Sequence, residues 1–555
     1  MNKVFGIDLG TTYSSIAYVD PYGKPVVLTN SEGQRLTPSV VFFDEGDIVV
    51  GDIAKESSRI YPNEVVSFVK RAMGEPDFLF EYDSKTYRAE EISSYIIRKV
   101  VQDAEKVLNE KITDIVITCP AYFGINEREA TQRAGEIAGY HVREIINEPT
   151  AAAISYGFAE SSGSKTVLVY DLGGGTFDVT MIAINPESIE VICTGGDHNL
   201  GGKDWDDRIV AHLVHEFQHA TGTNEDILDD PDTCQDILLS AEKAKKTLTS
   251  RAKVPIPITH GGERIKVEFD RIKFEEISKD LLERTIFFTK ELIEEAKKKG
   301  CDTFDEIILV GGATRMPQVA ERMKKEFSVE PKVYDPDEAV AKGAAIYGWK
   351  LALKDGLIDR IAKNKGKSVE DFDDIIELTD AVDVSPEEIK DAAQQVADEM
   401  GYTLDAVERS AVRITNVTSK SFGVIVRNRQ DEELVFNLIL RNTPVPVSAK
   451  KTFYTGVADQ ENVLIRIMEN ETSEATIHPE YAIEIGTAQL DLPAGLPVDV
   501  PVDIYFKLSK DGRLFINAIE QKESRGVDVS IDTSAVIHGE ELEAAKVRSK
   551  QTIVH

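Results

Sequence analysis

Up to Tyr347 the chain alternates short apolar, β-prone runs with stretches whose apolar residues recur at helical spacing. Residues 4–7, 112–119, 142–146, 167–170 and 307–310 read as buried strands. Residues 89–108 place Ile92, Tyr95, Ile96, Val100, Ala104 and Val107 on one helical face, and 126–140 read as a helix started by Asn126 and stopped near Gly139. Pro149 suits a first helical position, which puts Glu148 at a strand-to-helix junction. Strands alternating with helices predict mixed sheets covered by helices. Residues 355–409 are dense in Asp and Glu with helical segments, and read as a small helical insert or a mobile connector. From Val412 helices vanish, and β-prone runs recur between turn residues (422–427, 434–440, 452–457, 463–469, 481–490, 500–507, 514–519 and 526–531), with Asp511-Gly512 marking a hairpin. That is the pattern of an all-β sandwich. The expected division is an α/β domain over 1–352, an acidic insert over 353–411, a β-sandwich over 412–535 and a short helical tail over 536–555.

Two of the strand pairs share one turn. VFGIDLGTTYSS begins at Val4, and VLVYDLGGGTFDVT begins at Val167. Each runs strand, Asp-Leu-Gly, Thr, strand, with Asp8, Gly10, Thr11 and Thr12 in the first and Asp171, Gly173, Gly174, Gly175, Thr176 and Asp178 in the second. Glycines let backbone N–H groups approach an anion. A carboxylate beside a phosphate cradle makes sense with a cation between them, so the expected ligand is a nucleotide–Mg²⁺ complex with Asp171 on the metal side. One such turn is an ordinary hairpin; two predict a duplicated half-domain gripping a phosphate chain. Lys70, in SFVKRAMG, could reach a γ-phosphate, or be a solvated surface lysine. Gly311-Gly312 would let an adenosine lie against the backbone with Arg315 stacked on its base. His215-Glu-Phe-Gln-His219 matches a zinc-protease pattern, but an amphipathic helix surface accounts for it better.

The net charge of −33 argues against nucleic acid and anionic membrane as partners. Cys119, Cys193, Cys234 and Cys301 are far apart and read as reduced thiols of a cytoplasmic protein. No signal-peptide pattern and no long apolar run are evident.

GIDLGTTYSS, TCPAYF, NEPTAAAISYG, DLGGGTFDV, NLGGKDWD, VGGATRMP and YDPDEAVAKGAA occur in that order, and with them the chain resembles the 70-kDa heat-shock chaperones of the DnaK type. The resemblance is strong over residues 4–348 and weaker over 416–533. It implies an actin-like ATPase of two lobes with ribonuclease-H-like halves, followed by a β-sandwich that binds peptides. It implies that Asp8 and Asp171 place Mg²⁺ and K⁺, that Thr11, Thr12 and Gly173–Gly175 cradle phosphates, and that Gly10, Tyr13, Gly201 and Gly202 complete that set. Lys70 would stabilise charge at the γ-position and Glu148 would orient the attacking water, with Thr176 and Asp178 beside them. Glu242, Lys245, Lys246, Thr249, Gly311, Gly312, Arg315 and Asp337 match adenosine-side positions. Pro120 and Arg128 match positions that relay nucleotide state. Val424, Phe453, Val463 and Ile465 match a channel for extended hydrophobic peptides, which is the expectation here, with plain sandwich core as the alternative. The implied function is an ATP-dependent chaperone for unfolded polypeptides, working with a J-domain protein and a nucleotide exchange factor.

Three departures stand out. Val412-Arg-Ile-Thr415 replaces a hydrophobic linker, which bears against nucleotide-driven docking of the domains. The helical lid is nearly absent, so bound peptide should leave faster. Lys246 and Thr249 stand where Arg and Ser are commoner, which predicts weaker adenine stacking. These departures motivate a second reading, a nucleotide-dependent scaffold for one partner. A small-molecule kinase would leave the C-terminal sandwich without a use.

Overall fold

The computed structural model describes residues 3–159, 163–369, 384–410, 412–428, 430–509, 512–520, 525–530 and 535–555. Two sheets with one design form the N-terminal half. In lobe I the strand order is His141–Asn147, Asp114–Cys119, Val4–Asp8, Tyr13–Val19, Pro25–Val27. In lobe II it is Pro331–Val333, Glu306–Val310, Lys165–Leu172, Phe177–Ile184, Ser188–Asp197. Each combines an antiparallel meander with two parallel strands reached through helices. This is the duplicated architecture that the paired Asp-Leu-Gly turns predict, and the fold is an actin-like α/β domain followed by a β-sandwich.

The helix Ala339–Lys365 packs across the lobe I sheet and against the helix Glu148–Ala159, and passes through residue 352, where the sequence pattern suggested a boundary. Its glycines are contact points: a Cβ on Gly343 would run into the Ala151 carbonyl, and one on Gly348 would press on Val4. Within the insert, Pro386–Met400 starts on a Ser385–Glu388 capping box. It buries Ala392, Ala393, Val396 and Ala397 in the same core as Leu353, Ile358 and Ile361. Tyr402 stacks edge-on against Trp349 at 5.7 Å, and Thr403 N donates to Pro21 O at 3.0 Å. Residues 384–410 are therefore a packed layer on the ATPase domain rather than a connector. The apolar stripe was outweighed in the sequence by the acidic faces around it.

The sandwich packs a five-stranded sheet, ordered Thr476–Ile477, Glu433–Ile439, Ser421–Arg427, Asn462–Asn470, Ile483–Asp491, against four strands, ordered Val447–Tyr454, Pro501–Leu508, Leu514–Glu520, Arg525–Ser530. Phe422, Ile467, Phe506 and Ile516 fill the core between them. Pro501–Leu508 and Leu514–Glu520 pair as the expected hairpin, although Asp511, like Ile531, lies outside the described residues. Arg413–Val417, the expected linker, is a strand: it adds in parallel to the lobe II edge at Ser188–Glu190 and in antiparallel to Pro444–Val445. A few residues of β pairing on each side need backbone, not apolar side chains, so the loss of the hydrophobic linker sequence did not prevent docking. Among the described residues no helix is long and apolar enough to cross a membrane.

Candidate functional site

The two hairpins meet tip to tip. A Cβ on Gly174 would fall on the Thr12 hydroxyl, and one on Gly175 on the Thr11 side chain. Glycine is what lets the turns close to this distance. Gly202 N donates to Gly173 O at 2.9 Å and Lys203 N to Gly174 O at 2.8 Å, so the second glycine-rich turn buttresses the first. Between the lobes opens a cleft of about 620 Å³, within the range of pockets that take a ligand the size of a nucleoside triphosphate.

Asp8, Gly10, Thr11, Thr12, Tyr13, Lys70, Glu148, Asp171, Gly173, Gly174, Thr176 and Gly202 all line this cleft. Gly175, Gly201 and Asp178 do not: Gly201 backs onto Gly175, and Asp178 lies behind the floor, accepting from Tyr122 N at 3.3 Å. Lys70 is buried, 4% exposed, and its ammonium donates to Glu148. That answers the surface-lysine alternative. Burial pulls Lys70 down, but the Glu148 and Asp8 charges outweigh it and hold the ammonium above its usual value. Burial, with Glu148 close by, pushes Asp8 up to about 7 and Asp178 up to about 8. Asp171 is driven well above the usual carboxylate range by burial and by its three acidic neighbours, Glu148, Asp178 and Asp8. Four carboxylates around one lysine are an excess of negative charge; no three of them are placed to ligate a metal directly, so a divalent cation would be held beside Asp8 and Asp171 through water and the nucleotide's own phosphates.

Glu242, Lys245, Lys246, Thr249, Gly311, Gly312, Arg315 and Asp337, the residues expected on the adenosine side, also line this cleft. Glu242 takes Lys55 at 2.5 Å across the cleft and Lys246 at 2.7 Å along its own helix, and these two cations, against the burial penalty, hold its carboxyl down to about 2. Lys246 donates to the Tyr13 hydroxyl at 2.7 Å and sits 4.8 Å from the ring centroid. Lys245 is held by Gly202 O and Asp206, both at 2.6 Å. Arg315 is ion-paired with Asp337. Sequence reasoning missed Gln34, Leu36, Asp52, Ala313, Met316, Pro336 and Val340, which also line the cleft. Of these Ala313, Met316, Pro336 and Val340 lie inside the motifs VGGATRMP and YDPDEAVAKGAA, while Gln34, Leu36 and Asp52 carried no signal.

His215, 73% exposed in its side chain, and His219 lie on the outer face of Gly202–Thr221. Among the described residues no group of three or more His, Cys, Asp or Glu is placed to hold a metal.

Val424 and Ile465 are 1% and 2% exposed in the sandwich core, while Phe453 and Val463 are half-buried at its margin. Phe453 stacks edge-on with Phe436 at 5.7 Å. The sandwich touches both lobes. On lobe I, Glu469 accepts from Ile125 N at 3.0 Å, Ser419 donates to Phe123 O at 3.3 Å, and Tyr122 donates to Glu471. On lobe II, Asn442 accepts from Thr194 N at 2.9 Å and donates to Glu295 at 2.6 Å. Pro120 O accepts from Phe123 N at 3.2 Å at this joint, and Arg128 donates to Phe123 O at 3.0 Å and to Asn147.

A model of the family described as Hsp70 protein matches residues 4–356. Two curated relatives from Halobacterium salinarum, strains ATCC 29341 / DSM 671 / R1 and ATCC 700922 / JCM 11081 / NRC-1, are both named "Chaperone protein DnaK". Each is 34% identical over 548 residues, covering 98% of this chain and 77% of the relative.

Proposed function

Because the chain belongs to the Hsp70 family, we propose that its cleft and its sandwich work as one nucleotide-driven peptide-binding machine. The protein is an ATPase and an ATP-dependent molecular chaperone that takes ATP and ADP with Mg²⁺ and binds unfolded polypeptide. The observation that carries the assignment to these residues is the meeting of two Asp-Leu-Gly hairpins over a buried carboxylate cluster.

In this reading Thr11, Thr12 and the Gly173–Gly175 backbone hold the β- and γ-phosphates, and Gly10, Tyr13, Gly201 and Gly202 keep that frame closed. Asp8 and Asp171 would hold Mg²⁺ beside the nucleotide, where it would neutralise phosphate charge, and K⁺ would be held by the same carboxylates. Lys70 offsets charge at the γ-position. Glu148, ion-paired with Lys70, accepts a hydrogen bond from the attacking water and aims it. Thr176 and Asp178 hold the turn behind them. Catalysis is thus positioning and charge neutralisation. Glu242, Lys245, Lys246, Thr249, Gly311, Gly312, Arg315 and Asp337 take the adenosine. Phe453 and Val463, at the sandwich margin with Val424 and Ile465 beneath them, receive extended apolar segments through main-chain hydrogen bonds and a shallow pocket. Pro120 and Arg128 carry nucleotide state to the sandwich. A J-domain protein and a nucleotide exchange factor complete the cycle, and four unpaired cysteines suit a reducing cytoplasm. Nothing observed favours the single-partner scaffold.

Calorimetry and ATP turnover test the site. Intact protein should bind ATP tightly only with Mg²⁺, and Asp171→Asn should lose at least about a hundredfold in turnover while keeping a cooperative melt. Normal turnover by Asp171→Asn would refute the assignment.

A further inference from the structure

The strand Asp47–Val50 forms the outer edge of a small three-stranded sheet in lobe I, paired on its inner side with Val40–Asp44. Its outer N–H and C=O groups are taken by the C-terminal segment. Ile48 N donates to Ile553 O at 3.0 Å, Val50 N donates to His555 O at 3.1 Å, and His555 N donates back to Ile48 O at 2.8 Å. The His555 imidazole lies 3.2 Å from the Asp47 carboxylate, and Val554 packs on the lobe I core. A bare sheet edge is completed by an extended segment, and that is the relation here.

The segment is delivered by the helix Gly539–Gln551, whose Leu542 and Ala545 pack with Ile537 on Ile137. Arg98, 8% exposed, donates to the carbonyls of Ser549 and Thr552, the latter at 2.8 Å. A buried cation thus satisfies the orphan carbonyls at the helix C-terminus. Arg548 pairs with Glu91 at 2.5 Å.

The residues just after Val50 connect this edge to the nucleotide cleft. Gly51, at φ +102°, is a left-handed joint that begins the helix Asp52–Ser57. Asp52 lines the cleft, and Lys55 crosses it to Glu242 at 2.5 Å, lying 5.4 Å from the Tyr13 ring centroid. The edge strand and the lip residue that spans the cleft are separated by one short joint.

We propose that the outer edge of Asp47–Val50 is a strand-docking surface for this chain's own Ile553–His555, and that this clasp pins the cleft lip through Lys55 and sets how long nucleotide stays bound. The proposal rests on the nucleotide reading of the cleft. Docked, the segment holds the strand, Gly51 and the short helix in the register that keeps Lys55 on Glu242. Undocked, the lip is free to swing on Gly51 and nucleotide escapes sooner. Extended polypeptide competing for the same edge would act as a release signal.

The test is release of fluorescent ADP followed by stopped flow. Binding by the intact chain is measured first; its failure would remove the nucleotide reading and not bear on the clasp separately. Given binding, a chain ending at Thr552 and full-length Val554→Asp should each release ADP about three- to tenfold faster. The Ile48 and Val50 amides should lose hydrogen-exchange protection in both. A peptide of residues 549–555 added to the shortened chain should slow release again. Lys55→Ala should release faster by itself, and shortening on top of it should add little, since both act through one contact. Release rates equal to the intact chain's in both variants, with a normal melt, would overturn the clasp; so would full additivity with Lys55→Ala.

Discussion

Asn147 Nδ2 donates to Asn416 Oδ1 at 3.3 Å, and this contact joins the floor of the cleft to the linker strand. Asn147 immediately precedes Glu148, the partner of Lys70, and its own side-chain oxygen accepts from Arg128. Arg128 in turn borders the crevice formed with residues 416–420 of the sandwich entry. A change in the Lys70–Glu148 pair therefore has a short, hydrogen-bonded route to the segment that docks the sandwich. Asn416→Ala should leave basal ATP turnover close to normal and weaken stimulation by peptide by about 0.5–2 kcal/mol of coupling. Steady-state turnover with and without a saturating extended peptide measures this.

The docked interface is pH-dependent through Glu469. Burial pushes its carboxyl from 4.5 up to about 7, with Lys420 only partly opposing and Glu127 adding to the shift. A raised carboxyl means that the docked state binds a proton that the free state does not hold. Above about pH 7 the docked state bears a buried charge; between 7 and 4.5 docking strengthens as pH falls. Glu471 works in the opposite sense: despite burial, Lys420 and Tyr122 hold it below its usual value, so its contribution is lost at more acidic pH. Glu469→Gln should flatten the pH dependence of docking between 7 and 5. Protease sensitivity of the linker strand across that range is the readout.

At the position proposed to face adenosine the chain carries Lys246, where the sequence suggested a weaker stack. Lys246 is fixed by Glu242 and by the Tyr13 hydroxyl and ring rather than left free. Lys246→Ala should weaken ATP binding by about 1 kcal/mol, a few-fold, with turnover at saturation nearly unchanged. Titration calorimetry against turnover kinetics separates the two.

Phe453 and Val463 are half-buried at the sandwich margin, whereas Val424 and Ile465 are fully buried. Phe453→Ala should cost about 2 kcal/mol in peptide affinity, while Val424→Ala should act chiefly on the melting temperature. Fluorescence anisotropy with a labelled peptide, beside thermal melts, distinguishes a pocket residue from a core residue.

Much of the fold was legible in the chain itself, for local reasons. A glycine turn with an adjacent Asp carries its own geometry, so both hairpins, and the duplication they mark, could be read from residues 4–15 and 167–180. The β-prone runs recurring between turn residues after Val412 pointed to the sandwich, whose strands bury their inner faces in one core. Lys70 was ambiguous because burial is a tertiary fact: only the fold brings Glu148 to it. The insert was obscure for the opposite reason, since a four-residue Ala/Val stripe is a weak signal among many acidic side chains. Arg413–Val417 docks through backbone pairing, which side-chain identity does not announce. Ile553–His555 is a three-residue extended segment whose partner lies some five hundred positions away, beyond any pattern in sequence.

In the function proposed above, occupancy of the cleft governs the grip of the sandwich on an extended chain. The direct measurement is the dissociation rate of one labelled hydrophobic peptide from the intact protein saturated with ATP and, separately, with ADP. Release should be at least about tenfold faster with ATP. Equal rates in the two nucleotide states, with both nucleotides shown to be bound, would contradict it.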